Sequence, residues 1–209
     1  MPSPSSFAGL AAAVRARPPR LGATRLVCVD GPAGSGKTTF AGQLAARLDA
    51  QVLHMDDVYA GWTLAGAFDR VAAGVLEPLR AGRPGAVRRW DWPTGRFAEP
   101  IVVPVAPALV LEGCGSAPRA ADAHAVLRVW VEAPRDLRLR RGVERDGEAM
   151  RADWLRWLDQ EAVEFATEDT RARADLAVDG APAVPDRPGW FTAIRVSHGW
   201  NTAAAPWSG

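Results

Sequence analysis

The run Gly31-Pro32-Ala33-Gly34-Ser35-Gly36-Lys37-Thr38, with Thr39 behind it, meets every fixed position of the phosphate-loop pattern G-x-x-x-x-G-K-[ST]. Its chemistry would be the holding of a polyphosphate. Glycines turn several backbone N–H groups toward one point, at a helix start where the dipole also favours negative charge. Lys37 would reach the β- and γ-phosphates, and the Thr38 hydroxyl would bind a magnesium ion. Gly31, Ala33, Gly34, Ser35, Gly36, Lys37, Thr38 and Thr39 are therefore the expected ATP-binding residues. Lys37 is the only lysine among 25 basic residues. Arginine fills the other basic positions, yet its broad fork cannot replace a compact ammonium threaded among phosphates.

Further chemistry-bearing residues follow. Asp56 and Asp57 follow Met55, just past the expected strand Gln51-Val52-Leu53-His54. Such a pair suits a solvated turn, but beside a phosphate loop it also supplies the base that a hydroxyl acceptor needs near the γ-phosphate. Glu112 ends Ala108-Leu109-Val110-Leu111, a Walker B pattern, and would hold the magnesium directly or through water. Trp90-Asp91-Trp92, followed by Arg96, is dense in aromatics. It fits core packing, or a pocket where indole faces stack on a flat substrate and Asp91 accepts hydrogen bonds. Arg138, Arg141 and Arg145 share one helical face at i, i+3 and i+7. A solvated face is the plain explanation, and an arginine lid that neutralises transition-state charge is the functional one.

Regular elements must position these groups. Leu26 to Asp30 reads as a buried strand leading into the loop, and Thr39 to Leu48 as a helix with Phe40, Leu44 and Leu48 on one face. The pattern predicts further strands at 51–54, 108–112, 127–131 and 174–178, a short strand and turn at 87–96, and helices at 64–79, from Pro134, and at 153–166. Four consecutive apolar residues before Glu112 indicate burial on both faces, as in a parallel sheet. Carboxylates just past the carboxyl ends of such strands lie on the ligand edge of the sheet. The expected fold is one α/β domain: a parallel sheet of about five strands flanked by helices, with an arginine lid. Expected boundaries are an N-terminal arm or helix at 1–24, the main domain at 25–180 with its lid at 138–153, and a Pro-, Gly- and Trp-rich tail at 181–209 without assigned role.

Composition narrows the classes. The net formal charge of +1 over 209 residues makes no electrostatic case for nucleic acid or a membrane surface. The two cysteines, Cys28 and Cys114, fall in or beside buried strands, which fits a reducing cytoplasm. No apolar run is long enough to span a bilayer.

Together these residues resemble the uridine kinase and phosphoribulokinase-like group of P-loop kinases. The resemblance runs through Asp30 to Thr39, Met55-Asp56-Asp57-Val58-Tyr59, Ala67-Phe68-Asp69, Trp90-Asp91-Trp92, Leu111-Glu112-Gly113, Arg140-Arg141, Arg145-Asp146 and Ala174-Asp175. It implies ATP as phosphoryl donor, magnesium as cofactor and Asp56 as the residue that orients or deprotonates the acceptor hydroxyl. It also implies Tyr59 near a sugar, Trp90 over a base, and Arg141 and Arg145 in the lid. Catalysis would rest on Lys37, Asp56, Arg141 and Arg145. Substrate contacts would come from Asp57, Tyr59, Trp62, Asp69, Trp90, Asp91 and Arg96, and metal contacts from Thr38 and Glu112. Val58 stands where the family has Phe, and no histidine follows Trp92. The expected activity is phosphorylation of a small hydroxyl-bearing molecule, a nucleoside or nucleoside-like compound first. Another small alcohol, or ATP sensing without catalysis, are the alternatives. No nucleic-acid or membrane partner is expected.

Overall fold

The structure, a computed structural model, describes residues 3–198 and residue 200. Seven strands form one sheet in the order β1-β9-β8-β7-β2-β6-β3. They are β1 (Ser3–Ser6), β2 (Arg25–Asp30), β3 (Gln51–His54), β6 (Ala108–Glu112), β7 (Ala125–Glu132), β8 (Leu176–Asp179) and β9 (Trp190–Val196). The pairs from β3 through β8 are all parallel, and β9 and β1 add antiparallel strands at one edge. The parallel sheet of five strands is thus as expected, widened by two. β4 (Gly85–Asp91) and β5 (Arg96–Val103) form a separate hairpin.

Alternation along the strands builds a core on each face of the sheet. In β2, Val27 and Val29 point into one layer while Leu26 and Cys28 point into the other. β6 does the same, with Ala108 and Val110 on one side and Leu109 and Leu111 on the other. The first layer is closed by α1 (Phe7–Ala16) and α2 (Lys37–Leu48). The second is closed by α3 (Ala67–Val71), a π-turn at Ala72–Leu76 and α4 (Glu77–Arg80), beneath the β4–β5 hairpin. Pro78 has no N–H to offer the Gly74 carbonyl, so the ladder loosens within what was expected as one continuous helix. The chain continues through α5 (Arg135–Asp146), α6 (Arg151–Glu168) and α7 (Thr170–Arg173).

The N-terminal stretch is a helix packed on the sheet, and strands on either side of 25–180 extend that sheet. Ser6 caps α1 by accepting from the Gly9 N–H at 3.0 Å, and Phe7, Leu10 and Val14 then enter the first core layer. Phe7 meets Phe40 of α2 and Phe191 of β9, with centroids 5.0 and 4.9 Å away. α1 and β9 therefore belong to the main fold. Residues 201–209 of the expected tail lie outside the described residues.

Candidate active site

The phosphate loop leaves β2 at Asp30 and enters α2 at Lys37. Gly31 has φ 136°, and a Cβ there would meet the Val131 carbonyl oxygen at 2.1 Å, so only glycine fits. The loop is held from behind. Buried Asp30 accepts from the N–H groups of Gly31, Gly115 and Ala117 at 2.7, 3.0 and 2.8 Å. Burial pushes its pKa up to about 6 against those donors and Lys37. Buried Glu161 of α6 accepts from the Ala33 N–H at 2.8 Å and pairs with Arg138 at 2.7 Å. Arg138 also donates to the Ala33 carbonyl at 3.2 Å, and Arg141 to the Gly34 and Gly180 carbonyls at 3.0 and 3.3 Å. With its outer groups clamped, the loop stays shaped around its inner side. α2 starts at Gly36 with no side-chain cap, which leaves its first N–H groups for a ligand.

Lys37 is buried and donates to the Pro32 carbonyl at 2.9 Å, with the Cys114 sulfur 3.6 Å away. Burial opposes its charge, but its neighbours, the carboxylates Glu161, Glu112 and Asp56 among them, outweigh that and raise its pKa. Parallel pairing of β3 with β6 sets His54 opposite Glu112. Glu112 accepts from the Thr38 hydroxyl at 3.2 Å and contacts the His54 ring, which raises the histidine pKa. Asp56 follows on a short 3-10 turn, Met55–Asp57, and opens onto the same cavity. Enclosure by the surrounding walls raises its pKa, Lys37 opposes this, and Glu112 adds to it.

Thr38 and Glu112 offer hard oxygen ligands to a shared point. Among the described residues no group of three or more His, Cys, Asp and Glu could hold a metal. Magnesium takes one or two protein ligands and completes its shell with water and substrate phosphates. The donor set fits the ion expected.

A cavity of about 860 Å³ runs across this edge. Ala33, Gly34, Gly36, Lys37, Thr38, Thr39, Asp56, Tyr59, Trp62, Glu112, Arg141 and Arg145 all line it. Gly31 and Ser35 lie behind the lining, Ser35 fully buried with its hydroxyl unpaired. Five expected substrate residues are elsewhere. Trp90 pairs across the hairpin with Phe97, rings 5.0 Å apart, so its indole stabilises β4 against β5. Asp91 accepts from the Thr94 hydroxyl at 2.6 Å and closes the turn, and Arg96 sits exposed opposite it. Asp69 is exposed because α3 turns Ala67 and Val71 inward. Asp57 is half-buried and does not line the cavity. Tyr59 does line it, but its hydroxyl donates to the Cys114 carbonyl at 2.8 Å. The walls at this end are instead Trp62, Trp92, Trp154 and Trp157. Arg145 lies over the Trp154 ring at 5.6 Å and pairs with Asp146, on the stretch expected as a lid.

No protein-family model matches the chain, and no curated protein matches it. Solved structures do. A possible uridine kinase from Bacillus stearothermophilus superposes with a TM-score of 0.55 at 19% identity, over 74% of this chain and 88% of that one. A proposed fructose transport system kinase from Silicibacter sp. TM1040 gives 0.60 at 24% identity, over 82% and 98%. The chain has the α/β P-loop fold of these kinases, and the resemblance drawn from its motifs is met at the level of fold. Among the described residues, no helix is long and apolar enough to cross a membrane.

Proposed function

We propose that the protein is an ATP-dependent kinase that phosphorylates a hydroxyl of a small molecule, a nucleoside or nucleoside-like compound being the acceptor class its sequence resemblance favours. The observation that carries this is the convergence of Lys37, Thr38, Glu112 and Asp56 on one cavity, with Thr38 and Glu112 3.2 Å apart. In this reading the loop and the start of α2 bind the phosphates, and Lys37 balances their charge. Thr38 and Glu112 would hold magnesium, which supplies electrostatic stabilisation of the β- and γ-phosphates. Asp56 orients the acceptor hydroxyl and takes its proton as the oxygen bonds to the γ-phosphorus and the bond to the β-phosphate oxygen breaks. Arg145 lines the same cavity as Asp56, and it would meet charge that develops on the transferred group.

Incubation with ATP, magnesium and a pool of neutral metabolites, read by mass spectrometry, tests the proposal. One or more alcohols should gain a single phosphoryl group. ATP binding with no phosphorylated alcohol would instead support a nucleotide-sensing role.

A further inference from the structure

Glu112 is held by two donors that arrive from different elements. The Thr38 hydroxyl, in the first turn of α2, donates to its Oε1 at 3.2 Å, and the His54 Nδ1 meets the same oxygen. A carboxylate only accepts, so the His54 Nδ1 carries the proton and the ring donates. Among the described residues no hydrogen bond reaches the Glu112 Oε2, and Glu112 lines the cavity. One oxygen is thus committed to protein donors, and the other is left for a cation.

The pairing follows from the register of the sheet. β3 and β6 run parallel with His54 directly beside Glu112. β3 is the last strand on its side of the sheet, so the ring has room: the His54 side chain is 40% exposed and that of Glu112 5%. Glutamate has several rotatable bonds, and a carboxylate free to turn about them would lose that freedom on meeting a cation. With Oε1 tied to both α2 and β3, the ordering is complete before a ligand arrives. Hydrogen-bond partners behind a ligating carboxylate fix its orientation and govern metal affinity. His54 does not itself line the cavity, so its influence on a ligand there passes through Glu112.

We propose that His54 is a positioning residue for the metal site: its Nδ1–H fixes the Glu112 carboxylate so that the free oxygen is presented to the magnesium ion beside Thr38. This rests on the phosphotransfer reading for the presence of magnesium, while the metal's contribution to nucleotide binding is measurable without turnover. The imidazole itself touches neither metal nor substrate.

The test uses the full chain and the non-hydrolysable analogue AMP-PNP, titrated by calorimetry once in excess EDTA and once in excess magnesium chloride. The ratio of the two dissociation constants is the metal's contribution. His54→Leu removes the donor, and His54→Asn returns an N–H to the place of Nδ1. His54→Ala removes the donor without new bulk and serves if the leucine variant does not fold, which thermal unfolding decides. Loss of the donor should cut the wild-type ratio at least about tenfold. His54→Asn should keep most of it. Affinity in EDTA should stay at the wild-type level in every variant, which separates loss of metal binding from damage to the phosphate loop. In a Glu112→Gln background His54→Leu should change the ratio little further, because its effect passes through that carboxylate. An unchanged ratio in a folded variant lacking the donor overturns the inference. So does an asparagine variant as impaired as the leucine one, or a wild-type affinity that magnesium does not raise. A phosphorylation assay separates this from the kinase reading. If the ratio falls with His54 yet wild type phosphorylates no alcohol, the positioning stands and the kinase reading falls. If wild type phosphorylates an alcohol and His54→Leu keeps the ratio, the kinase reading stands and this inference falls.

Discussion

Glu161→Gln should destabilise the protein and loosen its grip on ATP, although residue 161 faces the back of the phosphate loop. Glu161 is 1% exposed, pairs with Arg138 at 2.7 Å and accepts from the Ala33 N–H at 2.8 Å. Glutamine keeps the volume and can still accept from Ala33, but it leaves the guanidinium without its counter-charge. Removing one member of a buried pair costs about 3–5 kcal/mol. Arg138 retains two carbonyl acceptors, Ala133 at 3.1 Å and Ala33 at 3.2 Å. The loss should therefore fall at the low end, about 3 kcal/mol, or roughly 6–12 °C in Tm for a chain of this size. Arg138→Met should also destabilise, and the double mutant should recover part of the summed loss, because neither charge is then stranded. Urea unfolding of wild type, both single mutants and the double mutant measures this coupling, while calorimetry follows ATP. Additivity within about 0.5 kcal/mol would refute the clamp. Unchanged ATP affinity in folded Glu161→Gln would refute its role in shaping the loop.

Other outcomes follow from the same geometry. Glu112→Gln should raise the magnesium requirement, whereas Asp56→Asn should abolish transfer and keep ATP·Mg affinity near normal; equal loss of nucleotide binding in both, by titration calorimetry, contradicts this division. Asp56 must be ionised to take a proton, and enclosure by the cavity walls raises its pKa, so kcat/KM should fall as pH drops through a limb above the ordinary aspartate value. A pH–rate profile flat down to about 4 contradicts that assignment. Gly142→Ala would set a Cβ 2.4 Å from the Trp154 ring. Overpacking of about 1–3 kcal/mol should exceed the helix-propensity gain of up to about 1 kcal/mol. Acceptor KM should rise with the displaced ring while ATP KM holds, which steady-state kinetics will show.

Much of this arrangement was legible in the sequence because it depends on local order. The strand into Asp30, the glycine loop, the helix from Lys37 and the apolar strand to Glu112 are each written in one continuous run. What escaped depends on contacts between distant segments. Asp30 and Glu161 act by accepting loop N–H groups, and nothing in their own neighbourhoods announces that partner. His54 meets Glu112 only because β3 and β6 lie in register. β9 was hidden in a tail whose Pro and Gly obscure any period, and β1 has no strand character of its own. The aromatic wall was expected from Trp90, yet cross-strand pairing with Phe97 claims that ring. Trp154 and Trp157 lie in the stretch expected as the helix at 153–166, and that helix turns both rings to the cavity.

The most direct test of the central claim compares wild type with Lys37→Ala for transfer of phosphate from ATP to an alcohol of the metabolite pool. Lys37 is held by the Pro32 carbonyl within the loop and does not belong to either apolar layer, so the mutant should unfold near the wild-type urea midpoint. Its transfer rate should drop by orders of magnitude, since electrostatic stabilisation is the largest contribution in this chemistry. A folded mutant that phosphorylates the same alcohol within a few-fold of the wild-type rate would contradict the account.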